Sequence, residues 1–178
     1  HSNKNVLINR AGFKKIILYV TALFTLDEEN QKGGYFIPKL AEQMPDYKFV
    51  VVATRTFVKV ESLPKNVQFW GRAKGQDELS QLYCEADVSL ILSRRETFSM
   101  VTAESLCCGT PVVGFKAGGP ESIALKEYCH FVDYGNIKQL IAELTCFYID
   151  ESKQNISERA KAIYSKEHMA TEYVNTYK

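Results

Sequence analysis

Short apolar runs rich in β-branched residues alternate with amphipathic segments along this chain, and that alternation restricts its fold more than any other feature. Residues 16–20, 49–53, 67–70, 88–92, 111–115 and 130–132 read as strands. Most are apolar on successive positions, so both faces must be buried, as happens when helices cover a parallel sheet on two sides. Between them, 35–44 reads as a helix with Pro38 in its first turn. The segment 76–86 carries Leu79, Leu82, Tyr83 and Ala86 at helical spacing, and 98–108 reads as a helix capped by Gly109. A short helix is expected over 122–127, and only helix from about 136 to the end. The expected fold class is α/β, a Rossmann-like doubly wound parallel sheet in one domain spanning 1–178. Residues 1–5 read as a linker or appended remnant, and about 150–178 as closing helices.

With 178 residues, the chain can bury roughly two-thirds of its unfolded surface and needs neither staples nor metals to fold. Its formal charge of +1 comes from acids and bases scattered over the whole length, unlike the clustered basic excess of a nucleic-acid-binding face. No apolar run approaches the ~20 residues that span a bilayer, and the polar start does not read as a signal peptide. Five cysteines, four of them among apolar neighbours, read as reduced thiols in the core of a cytoplasmic protein. No C-x-x-C pair or histidine cluster proposes a metal site, so none is expected.

In a doubly wound sheet, ligands bind beyond the carboxyl ends of the strands, where strand order reverses. Three loops fall there. After Leu92 comes Ser93-Arg94-Arg95-Glu96-Thr97-Phe98-Ser99-Met100, leading to Glu104. Glu96 in the turn and Glu104 about two helical turns on would stand roughly 12 Å apart, the length of a sugar-diphosphate-ribose. The helix start between them offers free N–H groups to a pyrophosphate, and carboxylates accept hydrogen bonds from paired hydroxyls. The same two acids also fit a dipole-complementing terminus and a solvated helix face. The second loop, Lys116 to Glu121, holds Gly118-Gly119, which can present backbone N–H groups to an anion or serve as a plain turn. The third contains Lys32-Gly33-Gly34, a point charge for phosphate or a solvated turn. No Walker spacing and no G-x-G-x-x-G occurs here.

The run from Glu96 through Glu104 to Cys108-Gly109-Thr110-Pro111-Val112-Val113 resembles the signature of the group 1 retaining glycosyltransferases: two glutamates with seven residues between them, then a small-residue helix ending in C-G-T-P-V-V. Leu63 to Gly71 is similar to the strand and glycine before that family's base pocket. Glu78-Leu79-Ser80-Gln81-Leu82-Tyr83 with Ala86-Asp87-Val88 is similar to its E-L-x-x-L-Y-x-x-A-D-V motif. Gly118-Gly119-Pro120-Glu121 is similar to its G-G-x-P-E loop, and Tyr164 to Ala170 to its closing helix. The resemblance covers roughly 16–177.

It implies the C-terminal, donor-binding domain of a GT-B enzyme, with a nucleotide sugar (UDP- or GDP-linked) as substrate and a glycan or lipid-linked acceptor. Glu96 is the implied catalytic residue and binds donor-sugar hydroxyls. Thr97, Phe98, Ser99 and Met100 present the turn to sugar and phosphate, Glu104 holds the ribose, and Lys32 the phosphate. Gly71 and Arg72 border the base, and Gly118 and Gly119 line the remaining loop. The class needs no catalytic metal, because basic groups and the helix N-terminus stabilise the leaving diphosphate. The N-terminal acceptor domain of the family is absent from these residues, so the chain is expected to be one half of the enzyme and inactive alone. Peripheral membrane association through the other half, at the cytoplasmic face, and a role in polysaccharide synthesis come with the family.

Two side chains depart from the pattern. The arginine ahead of the lysine is replaced by Ala22 or Gln31, which leaves Arg72, Arg94 or Arg95 to share its charge, and Ser99 stands where a glycine is usual. A sugar-nucleotide epimerase, a phosphorylase half-domain and a catalytically silent interaction module are the alternatives.

Overall fold

A computed structural model of the protein describes residues 6–165. The suggested remnant at 1–5, and the closing motif from residue 166 onward, lie outside the described residues. Among the described residues, six strands form one sheet: β1 (Lys15–Phe24), β2 (Tyr47–Thr56), β3 (Val67–Gly71), β4 (Val88–Ile91), β5 (Val112–Phe115) and β6 (Cys129–Val132). Every pairing is parallel and the order is β3-β2-β1-β4-β5-β6, so strand order reverses between β1 and β4. The helices are α1 (Phe36–Gln43), α2 (Gln76–Glu85), α3 (Met100–Cys107), α4 (Gly119–Ile123), α5 (Ile137–Cys146) and α6 (Lys153–Tyr164).

Burial on both faces follows the strand sequences. In β1, Ile17 and Tyr19 enter a core with Phe36, Ile37 and Leu40 of α1 and Leu140 and Leu144 of α5. Ile16 and Leu18 point the other way, toward Leu82 and Tyr83 of α2. Further along that second face, Ile91 and Val112 meet Leu106 of α3 and Ile156 and Ala160 of α6. Each such aliphatic side chain contributes about 1.5–3 kcal/mol by leaving water, which is why the inner stretches 16–20 and 49–53 carry no charged residue.

Lysines close two helix ends. Lys15 Nζ donates to the carbonyls of Leu144 (2.9 Å) and Phe147 (2.8 Å), closing the C-terminus of α5. Lys153, at the start of α6, donates to Cys84 O at 2.6 Å, to Ala86 O and to Thr110 Oγ1, and so caps α2 from another helix. Gly109 permits this approach: its φ is +79°, and a Cβ there would stand 2.1 Å from Lys153 O.

Three expectations need correction. The helix expected over 122–127 is instead α4, three residues earlier, followed by a 3-10 turn at Lys126–Tyr128. Glu121 causes the shift, because its carboxylate accepts the N–H groups of Ala117 (3.0 Å) and Gly118 (2.9 Å) and starts the helix at Gly119. β1 and β2 also run on to Phe24 and Thr56, past the expected ends at 20 and 53, because the two pair continuously along their length. Among the thiols only Cys129 is buried; Cys107 and Cys108 are half-buried, and Cys84 and Cys146 are exposed at the ends of α2 and α5.

Removing the Lys153 ammonium strands two backbone carbonyls at the end of α2. Lys153→Ala should lower the unfolding free energy by about 2 kcal/mol in urea titration. A loss under about 0.5 kcal/mol would show that solvent replaces those contacts without cost.

Candidate functional site

A cleft of about 280 Å³ opens at the carboxyl ends of β1 and β4, the point where strand order reverses. Lys32, Glu96, Met100 and Glu104 line it, together with Thr21 and Ser93. Four of the residues expected from sequence therefore share one cavity.

Glu96 is placed by the sheet and not by a helix. Its N–H donates to Ala117 O and its carbonyl accepts from Gly119 N, both at 2.9 Å, forming an isolated parallel bridge to the loop after β5. The chain then turns through Ser99, in the left-handed region at φ 71° and ψ 74°, and α3 begins only at Met100. Glu104 thus lies about one turn into the helix, not two. A continuous helix between the acids, and the 12 Å span derived from it, does not apply. The gap between them is bridged by an extended segment and a tight turn.

Each acid is held by neighbours that sequence spacing does not reveal. Glu96 Oε1 accepts from Lys32 Nζ at 2.6 Å and from Ser93 Oγ at 2.7 Å, with the Glu96 side chain 20% exposed. Glu104 Oε2 accepts from Tyr83 Oη at 3.1 Å. Burial, then the nearby Glu104 charge, pushes the Tyr83 hydroxyl well above its ordinary range, so it stays a donor. Tyr19 Oη donates to Lys32 O at 2.7 Å and is likewise pushed up, chiefly by burial.

The Lys32 turn is pressed onto the end of β4. Arg94 N–H donates to Gln31 O at 2.8 Å, and Asn30 Oδ1 accepts from Lys32 N–H at 2.9 Å. Gly33 has φ +71°, and a Cβ would meet Leu92 O at 2.2 Å, so only glycine lets the lysine sit so close to Glu96.

Other expected residues stand around the cleft. Thr97, Phe98 and Ser99 form the turn into α3. Arg72 lines an adjoining groove that shares Val20, Thr21 and Thr54 with the cleft, and Gly71 closes β3 just before it. Gly118 and Gly119 pack behind Glu96: a Cβ on Gly119 would lie 2.7 Å from Phe98 N. Gly119 serves close backbone packing, whereas Gly118 is exposed, with φ +94° and a Cβ position 3.5 Å from Glu96 O. Of the candidate arginines, Arg94 sets its guanidinium 5.3 Å from the centre of the Tyr134 ring. Sequence patterns alone do not assign Tyr83, Ser93, Thr21 or Thr54 to the site. Ser93, three residues before Glu96, carries the nearest thing to a local signal.

The family model for "Glycosyl transferases group 1" matches residues 14–150. A 41.2 kDa protein of the Klebsiella pneumoniae cps region is 26% identical over 166 residues, covering 89% of this chain and 46% of that protein. N-acetyl-alpha-D-glucosaminyl L-malate synthase of Bacillus anthracis is 28% identical over 122 residues, covering 67% of this chain and 31% of the synthase. The chain therefore spans less than half the length of these two relatives. Among solved structures, sucrose-phosphate synthase from Thermosynechococcus elongatus aligns with TM-score 0.73 at 22% identity, over 96% of this chain and 46% of that one. Anabaena HepE in complex with UDP aligns with TM-score 0.71 at 18% identity, over 94% and 49%. The doubly wound sheet is that of GT-B glycosyltransferases.

Two measurements check the site's construction. Tyr19 and Tyr83 remain protonated when folded beyond pH 10, where an unfolded chain releases its tyrosine protons. The unfolded state then binds fewer protons, so stability that is present below pH 10 should fall as pH rises above it, and fall less in Tyr83→Phe. Equal pH slopes in the two proteins would contradict this. At Ser99, the left-handed Cβ costs about 1–2 kcal/mol, but Oγ contacts Thr102 Oγ1 at 2.9 Å in a buried position. Ser99→Gly should therefore change stability by less than about 1 kcal/mol, and Ser99→Val should lose about 2–4 kcal/mol. Denaturant titration of both variants reads the difference, and a valine variant as stable as the glycine one would exclude the left-handed turn.

Proposed function

The chain belongs to the group 1 glycosyl transferases, and from that premise we propose that it is the donor-binding half of a retaining enzyme that moves a sugar from UDP or GDP to a glycan or lipid-linked acceptor. One observation carries this reading: Glu96 and Glu104 line a single cleft at the topological switch point, on either side of the start of α3.

The chemistry follows from that placement. Ribose hydroxyls donate to the free lone pairs of Glu104, whose other contact is the Tyr83 hydroxyl. The diphosphate sits at the α3 N-terminus, at the first-turn N–H groups ahead of Thr102 and Ala103, which donate to Ser99 O. Lys32 lies beside that point and trades its bond with Glu96 for one with phosphate as donor binds. Glu96, released from the lysine but still held by Ser93, then accepts from hydroxyls of the sugar ring. Arg72, in the groove continuous with the cleft, is placed to add a second positive charge, whereas Arg94 is engaged with Tyr134. Fixed cations and helix N–H groups stabilise charge on a leaving diphosphate without a metal ion. The acceptor-side groups come from a second domain, and the isolated half binds donor without turnover.

Calorimetric titration with UDP, GDP and their sugars tests the reading, and failure of all of them to bind at millimolar concentration would overturn it. Glu104→Ala should weaken free nucleotide by about 1.5–3 kcal/mol. Glu96→Ala should not weaken free nucleotide, since it frees Lys32 for phosphate, and should weaken the nucleotide sugar. Equal losses for both ligands in both variants would refute this division of roles.

A further inference from the structure

Helices α2 and α3 bring two thiols together beside the Glu104 end of the cleft. Ser80 and Cys84 are four residues apart and share one face of α2. That face meets Cys108, the C-terminal cap of α3: Ser80 Oγ lies 3.5 Å from Cys108 Sγ, and the Cys84 thiol donates to Cys108 O at 3.5 Å. Cys107 and Cys108, with Ser80, Tyr83 and Glu104, line a cavity of about 220 Å³ that shares Glu104 with the main cleft.

Tyr83 couples this thiol pair to the site. It precedes Cys84 in the chain, donates to Glu104 and, through its own carbonyl, accepts from Thr110 Oγ1 at 2.6 Å. We propose that Cys84 and Cys108 are a redox-sensitive dithiol, closed to an intrachain disulfide by a low-molecular-weight disulfide of the oxidised-glutathione class, and that closure weakens nucleotide binding at Glu104. The second clause rests on the proposed function.

Disulfide geometry requires Cβ atoms about 3.8 Å apart. With the Cys84 sulfur already against the main chain of Cys108, closure asks for a side-chain rotation and a small approach of the two helix ends. That approach narrows the cavity between α2 and α3 and shifts Tyr83 against Glu104. Cys84 is exposed, whereas burial pushes the Cys108 thiol up, so Cys84 reacts first. Its thiolate attacks one sulfur of the oxidant, whose S–S bond breaks; a mixed disulfide forms and one glutathione thiolate leaves. The Cys108 thiolate then attacks the Cys84 sulfur and expels the second. Two cysteine thiols lose two electrons and two protons, and the oxidant becomes two glutathione thiols.

Trypsin separates Cys84 from Cys107 and Cys108, because Arg94 and Arg95 lie between them. After treating the reduced protein with oxidised glutathione, peptide mass spectrometry should show the two peptides linked with loss of two hydrogens. The link should be absent in Cys84→Ser and Cys108→Ser and retained in Cys107→Ser. UDP affinity should fall about tenfold on oxidation, the equivalent of one charge-assisted hydrogen bond, and return with dithiothreitol. A link through Cys107, or only a glutathione adduct at Cys84, overturns the dithiol. A correct link with unchanged UDP affinity overturns the coupling. If the link forms but the reduced protein binds no nucleotide, the donor-binding reading fails, and the coupling with it, while the dithiol stands.

Discussion

The geometry of the site depends on the bridge between Glu96 and the loop after β5. Two backbone hydrogen bonds, to Ala117 and from Gly119, hold the turn after β4 as a one-residue continuation of the sheet. That bond pair exists only because Gly119 lets the Phe98 amide come within 2.7 Å of where a Cβ would stand. Once Glu96 is pinned, the chain must reverse within three residues to enter α3, and the left-handed Ser99 accomplishes that. The direction of α3, and so the position of Glu104, follows. A glycine outside the cleft thereby sets the separation of two acids that line it.

Elements with strong local signals were legible in the sequence. Strands apolar on successive residues, such as 16–20 and 49–53, could only belong to a sheet covered on both sides, and the structure places them there. Helices α1 and α2 begin within a residue of expectation, because their apolar spacing and the start at Gly75-Gln76 are local facts. What could not be read is what arises between distant segments. The Glu96 bridge joins residues 22 apart and displaced the expected helix start; Tyr83 reaches Glu104 from 21 residues away. Cys84 reads as apolar by type, yet it stays exposed on the face of α2 that borders Cys108, because Leu82 and Tyr83 take the core side. Periodicity shows which face of a helix is apolar, but not which residue at its last turn remains exposed.

The same distinction separates the two departures from the family pattern. Ser99 in place of glycine is absorbed locally: the backbone keeps the left-handed conformation, and the hydroxyl turns to Thr102. The missing arginine cannot be absorbed that way, because a charge must be supplied where the ligand is, not where the sequence gap is. Position 31 contributes only its carbonyl, which accepts from the Arg94 amide and fixes the Lys32 turn. Arg94 itself is turned toward Tyr134, whose hydroxyl lies 3.0 Å from that of Tyr35. On the proposed reading, a second cation for the diphosphate would reach in from the β3 side. Arg72 follows β3 directly and lines the groove that opens into the cleft through Val20, Thr21 and Thr54. A guanidinium approaching from there would meet the nucleotide between base and phosphate, opposite Lys32, so the two charges would flank the diphosphate and not stack on one side of it.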